Sequence, residues 1–371
     1  MTAFARAADV LREGIAARAF PAASVEVGSR ETVIWRAAFG TLTYDEDAAP
    51  AAVDTIFDLA SLTKIISTAT LAMRAIDDGV LRLEDRVADW IPEWRGADRH
   101  DVTVGDLLAH CSGLTAYLPY YRDLTGRIEF QPAIARSALE YVPRTQAIYS
   151  DLGFILLGFI LEDARARGAA AASGATDPAA FLAAQFRRIS SYLTGEPLTF
   201  NPPRTWRGRI APTEHDAWRG RTLVGEVHDE NTWALGGAAG HAGLFGTAGA
   251  SGAFARAALH TIGGTGVLAK VETMRRFIAK TDVPGSSRAL GWDTMLPTSS
   301  CGTRMSPTSI GHTGFTGTSL WIDWERDLYI VLLTNRVHPT RENQLIRQIR
   351  PRFHDAVVAE IAHSEFGFDG G

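Results

Sequence analysis

Ser61 and Lys64, three positions apart in Ala60-Ser61-Leu62-Thr63-Lys64, carry the clearest chemical signal in this 371-residue sequence. A serine hydroxyl is a weak nucleophile until a neighbouring base takes its proton. A desolvated lysine can serve as that base, whereas a guanidinium keeps its proton. The chain holds 37 Lys+Arg residues, and only Lys64, Lys270 and Lys280 are lysine. A lysine placed three residues after a serine, in a chain that otherwise uses arginine, suggests that the amine chemistry is needed there. On a helix, positions i and i+3 share a face, and the helix N-terminus adds positive potential and free N–H groups. The ordinary alternative is a capping serine beside an unrelated surface lysine.

Two further groups stand in an order that sharpens this reading. Tyr149-Ser150-Asp151 opens the apolar run Gly153-Phe154-Ile155-Leu156-Leu157-Gly158, which reads as a buried helix. His312-Thr313-Gly314 lies in a glycine-containing strand near the C-terminus. No serine occupies a Gly-x-Ser-x-Gly frame, which argues against an α/β-hydrolase elbow. The order Ser-x-x-Lys, Tyr-Ser-Asp, His-Thr-Gly resembles the penicillin-recognising serine hydrolases. These comprise class C β-lactamases, low-molecular-mass D,D-peptidases and lactamase-like carboxylesterases. Their pattern is Ser-x-x-Lys, Tyr-x-Asn, then Lys-Thr-Gly or His-Thr-Gly. The stretches Ile56–Ala60, Leu107–Leu114 and Gly236–Phe245 look like the same family, and the resemblance runs from about residue 20 to 360.

The resemblance implies an α+β fold of the β-lactamase/transpeptidase type. One antiparallel sheet from both chain ends is flanked by helices and carries a mostly helical inserted part. A single domain over 1–371 follows, with an α/β part at about 1–60 and 235–371 and a helical part at about 61–234. It also implies the roles. Ser61 attacks a carbonyl; Lys64, neutral or sharing a proton with Tyr149, takes the hydroxyl proton; Tyr149 passes it to the leaving group. The N–H groups of Ser61 and Phe315 form the oxyanion hole, with His312, Thr313 and Gly314 along the substrate. No metal and no organic cofactor are implied. The substrate is an ester, amide, β-lactam or D-amino-acid peptide. Asp151 stands where the family has Asn; a carboxylate near Lys64 would stabilise the ammonium and hold its pKa up, against the base role, unless it points away or tethers Lys64 and Tyr149. His312 stands where many members have lysine, and histidine is only partly charged at neutral pH. The competing reading is a catalytically weak binding or scaffold protein of the same fold. Asp151 and the missing export signal favour it, and the intact Ser61–Lys64–Tyr149 trio argues against it.

These residues need a frame. Met1–Arg12 reads as the start of an amphipathic helix with Phe4, Ala8, Leu11 and Ile15 on one face. Ala23–Val27 and Thr32–Phe39 read as a hairpin around Gly28-Ser29-Arg30. A helix follows Ser61, with Ile65, Ile66, Leu71, Met73 and Ile76 to bury, and stops at Asp77-Asp78-Gly79. Thr103 and Asp106 fit a helix cap. Residues 164–180 read as an alanine- and glycine-rich connector or weak helix. Leu198–Trp233 reads as a long irregular segment that walls or covers a site. Ser309–Asp323 and Leu328–Asn335 read as strands joined by a turn at Trp324–Asp327, and a helix from about Arg341 to Ile361 closes the chain.

Other polar clusters read more plainly. His215-Asp216 and His228-Asp229-Glu230 lack zinc-motif spacing and read as caps and loop polars. His241 sits among glycines in a turn, and Trp206, Trp218 and Trp233 read as loop packing. Cys111 follows His110 in a turn, and its reading as a nucleophile is weak. Cys111 and Cys301 make no disulfide framework. A net charge of −5 and pI near 6.1 give no reason to expect nucleic acid or an anionic membrane. No apolar run reaches the roughly 20 residues of a membrane span. The N-terminus lacks a secretion pattern, which points to the cytoplasm, or to the periplasm if a leader was removed. A small-molecule or peptide substrate is the partner expected; the oligomeric state is left open.

Overall fold

The computed structural model describes residues 4–173 and 181–365. In chain order the strands are β1 (Ala22–Gly28), β2 (Val33–Gly40), β3 (Phe57–Asp58), β4 (Leu198–Phe200), β5 (His215–Asp216), β6 (Arg221–Thr222), β7 (Leu244–Gly246), β8 (Asp293–Thr294), β9 (Ile310–Thr313), β10 (Ser319–Asp323) and β11 (Leu328–Thr334). Six of them form the main antiparallel sheet in the order β2-β1-β11-β10-β9-β8. The N-terminal hairpin thus docks on the last strand of the chain, Val25 opposite Leu332 and Val27 opposite Ile330. The sheet joins the two chain ends, as the sequence leads one to expect.

β1 and β11 lie inside the sheet, and their side chains alternate between its two faces. Val25, Val27, Ile330 and Leu332 face one side, where they meet Phe4, Leu11, Phe20, Phe353 and Val357 from the two terminal helices. Those helices are Ala5–Ala16 and Ile346–Glu365. Tyr329, Val331 and Leu333 face the other side, against Phe254 and Ala258 of the helix Ala248–Ile262. With both faces covered, every residue of β1 and β11 is buried. That burial includes Glu26, whose carboxylate receives Arg256 at 2.8 Å, the Tyr329 hydroxyl at 2.7 Å and Arg36 at 2.6 Å. A buried carboxylate is tolerable because all of its charge is answered.

The chain between the two halves of the sheet is mainly helical. Ile65, Ile66, Leu71 and Met73 pack with Leu107, Leu108, Phe154, Ile155 and Leu157 in one core. Thr103 and Asp106 form a complete capping box at Val104–Leu108. The helix of Asp151 runs to Ser173, so the expected connector begins as helix; residues 174–180 lie outside the described part.

Three expectations need correction. Ser309–Asp323 is two strands, β9 and β10, because Gly314 N–H and Thr318 O close a turn between them at 2.8 Å. Leu198–Trp233 is less irregular than its composition suggests: it supplies β4, the β5–β6 hairpin and the short helix Glu230–Ala234. The closing helix starts at Ile346, because Arg341 is engaged with Glu214 and Glu230 instead.

Glu26→Ala should lower unfolding free energy by about 3 kcal/mol, since Arg36, Arg256 and Tyr329 would lose a shared acceptor. Chemical denaturation measures it; a loss within about 0.5 kcal/mol would mean the network contributes only neutralised burial.

Candidate active site

The small sheet β3-β7-β4 sets the position of Ser61. β3 ends at Asp58, whose buried carboxylate accepts the Ala60 N–H at 2.8 Å and the His228 N–H at 2.7 Å. Ala60 takes a left-handed φ of 46°, uncommon for a residue with a side chain. This sharp reversal turns the chain from strand into helix at Ser61. Thr63 holds the turn by donating to the Ala60 carbonyl at 2.6 Å. From Lys64 to Ala69 the helix is wound as a π-helix before it continues as α-helix over Thr70–Asp77. Such wide turns are rare and frequent at functional sites.

Lys64 is fully buried. Its Nζ donates to Ser61 Oγ at 3.1 Å, to Asp151 Oδ1 at 2.7 Å and to the His241 carbonyl at 3.1 Å. An ammonium has three hydrogens, so each has an acceptor. Burial alone would pull the lysine pKa down; Asp151, and after it Tyr149, outweigh burial and hold it above the ordinary value. The Asp151 carboxylate therefore points at Lys64, not away from it.

Each acceptor comes from a different place in the chain. Asp151 opens its helix, where Ser150 Oγ accepts the Gly153 N–H at 3.2 Å. The loop of His241 is held by Thr68, which donates to the Gly240 carbonyl at 2.6 Å. Gly240 must be glycine: a Cβ there would meet the Phe154 carbonyl and Gly158 N on the Asp151 helix. The His241 ring bonds Asp229 at 2.7 Å, and Asp229 in turn caps the helix Glu230–Ala234.

Tyr149 stands over the same ammonium, with Lys64 Nζ 4.7 Å from its ring centroid. Its hydroxyl is buried and makes no hydrogen bond of normal geometry. Burial raises its pKa, and Lys64 and Ser61, which are close to it, only partly offset this. The phenol thus holds its proton in the resting state.

His312, at the end of β9, packs on Tyr149 with ring centroids 5.6 Å apart. Burial, then Arg288 and Lys64, push its pKa well below the ordinary value, so the ring is neutral rather than partly charged. Gly314 is explained by the scaffold: a Cβ there would sit 2.6 Å from the Leu59 carbonyl. Thr316 donates to the Asp58 carbonyl at 2.7 Å and Thr318 to that of Leu59 at 3.0 Å. These bonds bring the β9–β10 turn against the strand that delivers Ser61. Among the described residues, the main-chain N–H groups of Ser61 and Phe315 donate to no protein acceptor.

A cleft of about 810 Å³ opens above these residues. Ser61, Tyr149, Asp151, His241 and His312–Phe315 line it, so the structure gathers every candidate residue except Lys64 at its surface and holds Lys64 beneath. The wall includes Tyr117, Tyr121, Asp229 and Glu230. Trp218 and Trp233 are partly exposed and stand edge to face beyond Tyr121 rather than packed away. One end carries Arg336, Arg347 and Arg350; Arg350 is buried and its Nε lacks a partner. Cys111 is buried beside Asp106, and burial pushes its thiol up to about 12, outside nucleophile range.

Sequence reasoning passed over His110, Arg288, the His241 carbonyl and the arginines at the cleft end. Only His110 had a local signal, in the Leu107–Leu114 stretch. Arg288 lies over the Tyr149 ring, its guanidinium carbon 5.0 Å from the centroid, and nothing in its neighbouring sequence marks it.

Comparisons with known proteins fit this geometry. The family model described as Beta-lactamase matches residues 7–351, and the chain belongs to that family. It is 30% identical over 354 residues to the Escherichia coli (strain K12) protein named "Putative D-alanyl-D-alanine carboxypeptidase", covering 86% of this chain and 79% of that one. A Salmonella gallinarum protein of the same name is 30% identical over 319 residues, 78% of this chain and 71% of that one. Among solved structures, "EstCE1, a hydrolase with promiscuous acyltransferase activity" aligns with a TM-score of 0.73 at 20% identity, over 95% of this chain and 97% of that one. A penicillin-binding protein homologue from Caulobacter crescentus aligns with a TM-score of 0.72 at 19% identity, over 97% and 98%. The fold is the β-lactamase/transpeptidase-like fold, and the family is one of serine hydrolases.

Glu214 ties the cleft wall to the end of the sheet. It bonds His228 Nε2 at 2.9 Å and Arg341 Nε at 2.6 Å. Burial alone would raise its pKa; the His228 and Arg341 bonds outweigh that and pull it to about 2 from an ordinary 4.5. A depressed carboxylate stabilises the fold above its unfolded pKa and loses that contribution as pH falls. Stability should therefore drop between about pH 4.5 and 2. Glu214→Gln should be less stable at pH 6 and lose less over that window, as thermal melts across the range would read out.

Proposed function

We propose that the protein is a serine acyl hydrolase acting through an acyl-enzyme on Ser61, with a carboxylate-bearing peptide or related amide or ester as substrate. The observation that carries the reading is the Ser61–Lys64–Asp151 chain, with Lys64 Nζ 3.1 Å from the serine oxygen. A structural role would leave no reason to bury an ammonium against a hydroxyl at the floor of a cleft.

Because Lys64 donates to Ser61 Oγ, the serine's own hydrogen is free to leave on the side of Tyr149. Lys64 and Tyr149 are both protonated at rest; once the pair has lost one proton to solvent, the Lys64 charge makes a phenolate tenable beside it, so the two share the proton that remains and act as a coupled base. Attack forms the Oγ–carbon bond and an oxyanion, which the Ser61 and Phe315 N–H groups would receive. Collapse breaks the bond to the leaving group, which takes the proton from the Tyr149–Lys64 pair. Water then repeats the sequence, releasing the acid and restoring Ser61. The arginines at the cleft end suit a substrate with a free carboxylate, in keeping with the names of the relatives. Neutral His312 adds no positive charge for that group.

Ser61→Ala should abolish hydrolysis of p-nitrophenyl esters and labelling by a fluorescent phosphonate with folding intact; persistent labelling would exclude Ser61. Lys64→Arg keeps the charge but has no proton to share, and acylation should fall by about 10²–10⁴-fold in stopped-flow assays. Asp151 raises the pKa of both Lys64 and Tyr149. In Asp151→Asn the rising limb of kcat/KM should therefore move to lower pH, whichever of the pair gives up the proton. A limb that stays in place would separate Asp151 from the base. Intact-mass measurement after incubation with D-amino-acid peptides, activated esters and β-lactams would identify the acyl group retained on Ser61.

A further inference from the structure

His110 is buried at 1% exposure and takes a left-handed φ of 57° at the end of the helix Val104–Leu108. Its ring lies between two others: Tyr149 at 4.7 Å and Phe154 at 4.9 Å between centroids. Its Nδ1 accepts the Ser150 N–H at 3.0 Å. A backbone N–H can only donate, so Nδ1 carries the lone pair, and in the neutral ring the proton must be on Nε2. That Nε2–H is buried and has no acceptor. The same reasoning gives His312 the opposite form. Its Nδ1 faces the Thr313 carbonyl at 2.8 Å, so Nδ1 is protonated and Nε2 is an acceptor, likewise buried and without a partner. Between the two rings lies Tyr149, whose hydroxyl is the third buried polar atom lacking a bond. One donor, one acceptor and one group that is both are thus packed together, with the tautomers fixed by the main chain. Unsatisfied buried donors are costly and rare in folded proteins, so a donor held beside an ionisable phenol invites an explanation.

We propose that His110 is a positioning residue for Tyr149: its Nε2–H supplies a hydrogen bond to the phenol oxygen as negative charge develops there. This rests on the proposed role of Tyr149 in the proton-sharing pair. The bond is absent at rest and tightens when the oxygen becomes charged, because hydrogen bonds to ions are shorter and stronger than neutral ones. Other charged groups also face these rings. Lys64 and Arg288 face both histidines, Asp151 faces Tyr149 from the next helix, and Arg288 lies over the Tyr149 ring. Burial, and after it Arg288 and Lys64, keep His110 neutral, so it remains a donor with one proton.

His110→Asn separates this role from a structural one. Asparagine tolerates the left-handed conformation, and its Oδ1 stands where Nδ1 stood and can still accept the Ser150 N–H. Its side chain is too short to carry a donor to the Nε2 position. The wild type and this variant are compared over pH 5–10 with the same p-nitrophenyl ester, after phosphonate labelling has confirmed acylation of Ser61 in the wild type. Loss of the donor should raise the effective pKa of Tyr149, so the rising limb of kcat/KM should move about one unit to higher pH. Activity should be about ten-fold lower below the limb and converge with wild type above it. A uniform drop at every pH, or an unshifted profile, would overturn the proposal. Absence of Ser61 acylation in the wild type would instead overturn the function on which it rests. A variant-free measurement covers the case of a misfolded mutant. Nitrogen-15 NMR of the wild-type histidines should show His110 protonated on Nε2 and His312 on Nδ1; the reverse assignment for His110 would end the argument.

Discussion

A single buried ammonium organises this molecule. Removing a lysine's charge from water costs several kcal/mol, which only close, well-directed acceptors can offset. Lys64 has three, and they come from residues 61, 151 and 241. The nucleophile helix, the Asp151 helix and the loop before β7 must therefore meet at one point. The glycine at 240, the Thr68 hydroxyl and the Ser150 cap each make that meeting possible. The bonds that stabilise the charge also tie the cleft floor together.

The same constraint shapes the chemistry. A lysine so thoroughly solvated by the protein is a proton donor at rest, and its partner carboxylate keeps it so. In the proposed mechanism reactivity belongs to a group rather than to a residue, since the serine hydroxyl, the ammonium and the phenol stand together. The substitution of Asp for the family's Asn at 151 tightens this arrangement, and the neutral histidine at 312 removes a positive charge from its rim. Further positive charge lines the cleft on Arg336, Arg347 and Arg350, besides Arg288 over the Tyr149 ring.

Much of this was legible along the chain. Ser61 and Lys64 are separated by one helical turn, so their proximity follows from local geometry alone. The capping box at Thr103 and Asp106 is likewise a four-residue matter, and the strand-like runs at both ends announce the sheet. Tyr149 and His312 could be picked out only because their order along the chain resembles a known family. Local pattern misled where two short strands stand in one glycine-containing stretch. Ile310–Thr313 and Ser319–Asp323 read as continuous, because the turn between them is dictated by contacts with Asp58 and Leu59 some 250 residues earlier.

The sequence by itself determined which side chains can do chemistry: a nucleophile, an amine able to share a proton and a phenol, each at the start of an element that could present it. Residue type and short-range spacing are enough for that, because helices and strands repeat at fixed intervals. Only the tertiary structure decided the protonation states and the partners. Burial depth, the carboxylate at 2.7 Å from Lys64, the carbonyl of His241 and the paired tautomers of His110 and His312 all arise from segments far apart in the chain. Proton affinity depends on distance and desolvation in space, and neither is written in the interval between letters.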